Sequence, residues 1–191
     1  MKKLVFATNN QHKTEEIRLA FKGQYEVLNL ADIGCDADIP ETADTFEGNA
    51  SLKSKYVVDH FNLDCFADDS GLEVEAINNE PGVFSARYGG SRDSLENTKL
   101  VLKKMEGEVN RKARFKTVIS LMLEGENHLF EGIVNGIIRE DLSGSNGFGY
   151  DPIFQPDGYN ITFAQMDMKE KNKISHRAIA LKKMIDFLKE M

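Results

Sequence analysis

The chain has 191 residues, 41% of them hydrophobic and 29% charged, a length and composition that suit one globular domain with its own core. Its formal net charge of −7 opposes broad contact with nucleic-acid backbones, and the early apolar run Leu4-Val5-Phe6-Ala7 is too short for a signal-peptide core or a membrane span. Cys35 and Cys65 fit neither a disulfide framework nor a paired-spacing zinc site, so they read as reduced thiols of a cytoplasmic protein.

In chain order, Lys2 to Thr8 reads as a buried strand, and His12 to Lys22, with Ile17, Leu19, Ala20 and Phe21 among polar residues, as a helix. A short strand near Tyr25 to Leu30 and a Gly/Asp-rich loop follow. Thr45 to Phe61 carries Phe46, Ala50, Leu52, Val57 and Phe61 at mainly helical spacings. Cys65 to Ala67 and Leu72 to Ile77 read as strands flanking Asp68-Asp69-Ser70-Gly71, with turn chemistry at Asn78-Asn79-Glu80-Pro81-Gly82. Ser94 to Met105 is a further helix. From Ala113 to Leu123 the odd positions are Ala, Phe, Thr, Ile, Leu and Leu, a long strand with one face against a core. Glu124 to Asn127 turns it and Leu129 to Ile138 returns, a hairpin able to form a second lobe. Ser175 caps a closing helix to Lys189 with Ala178, Leu181, Ile185 and Leu188 aligned. Strands mixed with helices, plus a long hairpin, predict an α/β fold with a mixed sheet in a single domain over 1–191.

Five constellations can carry chemistry. Thr8-Asn9-Asn10-Gln11-His12-Lys13 joins a strand to a helix, where free backbone N–H groups, side-chain donors and the Lys13 charge suit a phosphate; the same residues suit an ordinary capped helix start. The P-loop string is absent, and Gly147-Phe148-Gly149 lacks the third glycine of a dinucleotide fingerprint. Asp68 and Asp69, with Glu41 upstream, would repel one another unless a cation sits among them, and Mg²⁺ fits oxygen ligands of this kind; a turn in which the acids merely cap backbone groups is the alternative. In Gly147-Phe148-Gly149-Tyr150-Asp151-Pro152 the glycines permit close approach to a ligand and Phe148 can cover a base, or the ring is simply buried. Lys171, with Ser175-His176-Arg177 at a helix start, offers donors to a base edge or a phosphate, unless it is a solvated basic helix start. Arg87, in Ser85-Ala86-Arg87-Tyr88, either binds an anion or pairs with an acid.

Taken together and in this order, these segments resemble the ITP/XTP pyrophosphatase, or Ham1-like, family. The motifs run from Ala7-Thr8 through Glu41-Thr42, Thr45-Phe46-Glu47-Gly48-Asn49-Ala50, Ala67-Asp68-Asp69-Ser70-Gly71-Leu72, Ser85-Ala86-Arg87-Tyr88 and Gly147 to Pro152, and end at Ser175-His176-Arg177, nearly the whole chain. The resemblance implies an elongated α/β fold with a twisted mixed sheet and flanking helices, two lobes around a nucleotide cleft, a homodimer, and Mg²⁺-dependent release of pyrophosphate from purine nucleoside triphosphates. It implies that Thr8, Asn10 and Lys13 hold the triphosphate, within a binding turn running through Asn9, Gln11 and His12. Glu41 and Asp69, with Asp68, would hold magnesium, and Asp69 would be the proton acceptor. Ser70, Phe148, Gly149, Tyr150, Asp151, Lys171, His176 and Arg177 would complete the nucleotide site. Asn9 stands where the family usually has glycine, and asparagine tolerates left-handed backbone angles better than most residues.

The chemistry that fits both readings is attack of water on the α-phosphorus with pyrophosphate leaving, with no covalent intermediate. One alternative is the same site with a different nucleotide preference. Another is a nucleotide-sensing module without turnover, which gains nothing from grouped acids near a tetra-anion.

Overall fold

Leu4, Val5 and Phe6 are almost wholly buried, as a strand covered on both faces must be. They form β1 (Lys2–Phe6), which lies between β2 (Tyr25–Leu28) and β3 (Cys65–Val74) and runs parallel to both. The computed structural model describes residues 2–10, 14–15, 17–18, 21 and 23–191. Its other elements are α1 (Phe46–Phe61), β4 (Glu80–Pro81), α2 (Ser94–Lys104), β5 (Lys112–Leu123), β6 (Glu126–Ile138), β7 (Phe154–Pro156), α3 (Met168–Ile174) and α4 (His176–Glu190). The 7-stranded sheet has the order β2-β1-β3-β5-β6-β7, with β4 antiparallel to β3 and β7 antiparallel to β6. This is the mixed α/β architecture that the sequence predicts.

Contacts divide the chain into two compact units, one of Met1–Asp69, Val118–Phe130 and Leu181–Met191, the other of Ser70–Thr117 and Glu131–Ala180. The first has a core of Val5, Ala7, Leu30, Cys35, Val57, Cys65 and Ala67. Burial there pushes the Cys65 thiol far above its ordinary range, so it is an inert filler of the core rather than a nucleophile. α1 starts where Thr45 Oγ1 accepts the Gly48 N–H at 3.0 Å and stops at Asn62, whose φ of 53° is left-handed. A chain of polar side chains ties α1 to the β5–β6 hairpin. Ser54 Oγ and Ser120 Oγ are 2.7 Å apart, Ser120 Oγ donates to Asn127 Oδ1 at 2.7 Å, and Asn127 Nδ2 donates to Ser51 Oγ at 3.0 Å.

The second unit has its own core, including Leu72, Val74, Val101, Met105, Phe115, Phe154 and Phe163. Within it Ser85 is a hub. Its Oγ accepts the Leu72 N–H at 2.9 Å and donates to the Gly82 carbonyl at 2.6 Å, while its own carbonyl accepts the Tyr150 hydroxyl at 2.7 Å.

Several boundaries differ from expectation for local reasons. The hairpin turn is only Glu124–Gly125, at φ 51° and 87°, the positive pair that a two-residue hairpin needs, so β6 begins at Glu126 rather than Leu129. All the odd positions of β5 from Ala113 to Leu123 are buried as predicted, but Val118 and Ser120 are buried too, so the strand's middle is covered on both faces. In α4 the fully buried row is Ala180, Met184 and Leu188, an i, i+4 line; Ala178, Leu181 and Ile185 flank it half-buried. α3 has no counterpart in the sequence reading. Of the helix expected from His12 to Lys22, Thr14, Glu15, Ile17 and Arg18 are helical and the remainder falls largely outside the described residues. Among the described residues no helix is long and apolar enough to cross a membrane.

Gly132 on β6 lies directly against the first turns of α4. A Cβ there would lie 1.9 Å from the His176 carbonyl oxygen and 2.6 Å from the Ala180 amide nitrogen, backbone atoms that cannot swing aside. Gly132→Ala is therefore expected to cost about 1–3 kcal/mol by overpacking, read as a lowered Tm. An unchanged Tm would show that α4 yields at no cost.

Candidate active site

The turn expected at Asp68-Asp69-Ser70-Gly71 is not formed; β3 runs unbroken from Cys65 to Val74. Both ends of the segment are held in the sheet, Cys65 and Phe66 by β1 and Glu73 and Val74 by β4, which keeps the acids between them extended. Extended backbone alternates side chains, leaving Asp68 buried and Asp69 half-buried.

α1 reaches this segment and the one that carries Glu41. Asn49 and Lys53 stand one turn apart on the same helix face. The Lys53 ammonium lies 2.5 Å from Glu41 Oε1 and donates to the Asp68 carbonyl at 2.6 Å. Asn49, 2% exposed, donates through Nδ2 to Asp69 Oδ2 at 3.1 Å and accepts the Ala43 N–H through Oδ1 at 2.9 Å. Sequence reasoning missed Lys53, and Asn49 entered it only as part of a motif. The available signal was their i, i+4 spacing upstream of an acidic pair, which a helix-face plot exposes.

Among the described residues no group of three or more His, Cys, Asp or Glu side chains forms a ready metal cage. Mg²⁺ does not require one, since it is commonly held by one or two carboxylates together with waters and substrate phosphates. The Glu41 carboxylate and the Asp68 carbonyl already hold one cation, the Lys53 ammonium. Hard oxygen donors of this charge fit a divalent ion.

At the predicted phosphate turn, Thr8 Oγ1 accepts the Asn10 N–H at 3.1 Å, and the Asn10 carbonyl accepts both the Thr14 N–H and the Thr14 hydroxyl at 3.1 Å. Thr8 Oγ1 and the Asn10 carbonyl thus each close a local hydrogen bond here. Gln11, His12 and Lys13 lie outside the described residues. Asn9 is not among the positive-φ residues, which outside glycine are Asn62, Asn78, Asn79 and Glu124 among those described. The left-handed geometry expected at Asn9 is therefore absent, and the turn forms without it.

The second unit assembles the glycine-rich loop around a buried ion pair. Asp151 and Lys171 are 2% and 5% exposed, and the Lys171 ammonium bonds Asp151 Oδ2, which also accepts the Phe148 N–H at 2.9 Å. A Cβ on Gly147 would fall 2.0 Å from that same oxygen, and its φ is +76°, so glycine is required on both counts. The Lys171 ammonium also lies 4.8 Å from the Phe148 ring centre, while the ring itself is 63% exposed. Phe148 is therefore not the buried aromatic that the alternative reading allowed. Tyr150 is buried, and desolvation holds its phenol protonated as the donor to Ser85. His176 is buried with its ring stacked 4.8 Å from Phe115; Arg177, next on α4, is half-buried. Ser70 Oγ lies 2.8 Å from Thr117 Oγ1.

Each unit thus brings together part of the predicted set. In one, α1 reaches the Glu41 and Asp69 carboxylates and the Asp68 backbone carbonyl, and in the other Phe148, Asp151 and Lys171 meet directly. Each is a charged, polar site carried by a mixed α/β sheet.

Comparison with known proteins places the chain more narrowly. Residues 4–187 match the Ham1 family, and the chain belongs to that family. It is 52% identical over 187 residues to a dITP/XTP pyrophosphatase of Flavobacterium psychrophilum, covering 97% of this chain and 98% of that protein. It is 50% identical to a dITP/XTP pyrophosphatase of Porphyromonas gingivalis, with 98% of each chain covered. The solved Ham1 protein of Staphylococcus aureus superposes with a TM-score of 0.95 at 40% identity over 99% of both chains. That of Coxiella burnetii superposes at 0.96 and 35% identity over the full length of both.

The Asp151–Lys171 pair yields a stability prediction. Asp151→Ala leaves a buried ammonium without its counter-ion and is expected to cost about 3–5 kcal/mol in denaturant unfolding. The double variant Asp151→Ala/Lys171→Met removes both charges and is expected to recover part of that loss. A double variant no more stable than the single one would show that the pair is not what the charge on Lys171 depends on.

Proposed function

We propose that the chain hydrolyses ITP, dITP and XTP to the monophosphate and pyrophosphate, with Mg²⁺ as cofactor, and so removes these non-standard purines from the nucleotide pool. The observation that carries this reading is that one face of α1 ties together the Glu41 carboxylate, the Asp69 carboxylate and the Asp68 backbone carbonyl, oxygen donors that serve metal-assisted hydrolysis and would only hinder passive binding of a tetra-anion. The relatives at about half identity, with the pyrophosphatase names they carry, support it.

Glu41 and Asp69, with Asp68, are the residues that would hold the ion. When bound, Mg²⁺ supplies positive charge to the phosphate oxygens and makes nearby water more acidic. Asp69 orients the attacking water and accepts its proton. Thr8, Asn10 and Lys13, with the turn through Asn9, Gln11 and His12, hold the triphosphate. Phe148 covers the purine, supported by its exposed ring above a fixed cation. Ser70, Gly149, Tyr150, Asp151, Lys171, His176 and Arg177 complete the site. The protein acts as a cytoplasmic homodimer.

Incubation with ITP and Mg²⁺ is expected to release pyrophosphate; orthophosphate and IDP as main products would overturn the reading. Asp69→Asn is expected to remain folded and lose most turnover, and a near-normal kcat in that variant would remove Asp69 from its role.

Base choice follows from the 6-oxo group that hypoxanthine and xanthine share, which accepts hydrogen bonds where adenine's amine donates. His176, Arg177 and backbone N–H groups are the donors proposed to face the base. Guanine shares the 6-oxo group, so donors near position 2 must select against its amine while accepting the oxygen of xanthine. ITP and XTP are expected to exceed GTP and ATP in kcat/KM by at least about two orders of magnitude, the scale of two unmet hydrogen bonds. Arg177→Met should shrink that gap more than it weakens triphosphate binding. Equal turnover of GTP and ITP, or an unchanged ratio in Arg177→Met, would refute this account.

A further inference from the structure

Asn49 joins the two acidic segments through a single side chain. Its Oδ1 accepts the Ala43 N–H at 2.9 Å, two residues beyond Glu41, and its Nδ2 donates to Asp69 Oδ2 at 3.1 Å. The amide is 2% exposed, so water does not compete for either bond. The segment it grips has little room to slide. Thr45 caps the helix through the Gly48 N–H, and a Cβ at Gly48 would lie only 2.5 Å from the Ala43 Cβ, which packs that loop against the first turn of α1. One turn further on, Lys53 makes a second tie, from Glu41 to the Asp68 carbonyl.

The chemistry of the group decides what it can do. An amide can accept from a backbone N–H at one end and donate to a carboxylate at the other, whereas a carboxylate of the same shape can only accept. A half-buried aspartate has several staggered side-chain orientations open to it, and a donor of fixed position selects one. We propose that Asn49 is a positioning residue: it holds the Asp69 carboxylate in one orientation and fixes its distance from the Glu41 segment. What that orientation accomplishes rests on the pyrophosphatase reading above; the clamp itself does not.

The test uses an exchange of the two groups. Asn49→Asp keeps the shape and the Ala43 bond but places a second carboxylate against Asp69. Its kcat for ITP is expected to fall at least about tenfold while KM changes by less than about threefold, and its Tm to drop by about 3 °C or more. Adding Asp69→Asn to Asn49→Asp restores an N–H···O bond with donor and acceptor interchanged, so Tm should return towards the wild-type value although turnover does not. Asn49→Ala, which adds no charge, carries the same kinetic expectation if Asn49→Asp proves insoluble. A normal kcat in either single variant, or no thermal recovery in the exchange, overturns the proposal. A wild-type chain that releases no pyrophosphate from ITP overturns the functional reading instead, and the thermal exchange then still decides the clamp.

Discussion

The two acidic segments of the candidate site are tied to one another through the face of one helix. α1 presents an ammonium and an amide one turn apart, and each bridges both segments: Lys53 joins the Glu41 carboxylate to the Asp68 backbone carbonyl, and Asn49 joins the Ala43 N–H to the Asp69 carboxylate. Charge and polar groups withdrawn from water need such partners, and these two side chains supply them. Much of the first unit can be understood as what places that helix: a side-chain cap at Thr45, a left-handed stop at Asn62, Val57 in the core and Ser54 bonded to the hairpin.

The second unit answers a different electrostatic demand. A buried ion pair does not by itself stabilise a fold, because desolvating both partners offsets most of their attraction. Asp151 and Lys171 make more than the pair, however. The carboxylate also accepts the Phe148 N–H, and the ammonium lies near the Phe148 and Phe163 rings, so neither charge depends on its partner alone. The result is a loop whose backbone is fixed while its aromatic ring stands in solvent. Glycine at 147 is the condition for this, since any side chain there would occupy the place of the Asp151 carboxylate.

The elements best read in the sequence were those with strong period and clear caps. β1, the helix beginning after Thr45 and the long strand β5 follow directly from apolar runs, helical spacing and alternation. Asp68 to Gly71 misled because those residue types favour turns, whereas sheet pairing at both ends of the segment overrode that preference. α3 was missed because Met168 to Ile174 is short and largely polar, and its identity depends on the buried Lys171 rather than on an apolar stripe. At the candidate site, the acids and the glycine loop were legible as residue types. Lys53 was not, because a lysine on a helix is ordinarily solvated and only the fold brings Glu41 and the Asp68 carbonyl to it. Asn9 shows the opposite error, a special backbone angle inferred from a residue that does not adopt one.

The polar chain between α1 and the hairpin leaves each of its groups with a partner. Asn127 reaches Ser51 Oγ through Nδ2 and Ser120 Oγ through Oδ1, and Ser54 Oγ meets both Ser120 Oγ and the Ser51 carbonyl. Hydroxyls both give and accept, so the network can redistribute its hydrogens while the heavy atoms keep their places. What it fixes is the position of the helix on the hairpin, since sliding either one would leave these polar groups unmatched. Its contribution is registry: a polar key that accepts one orientation of the helix where a greasy contact of equal area would accept many.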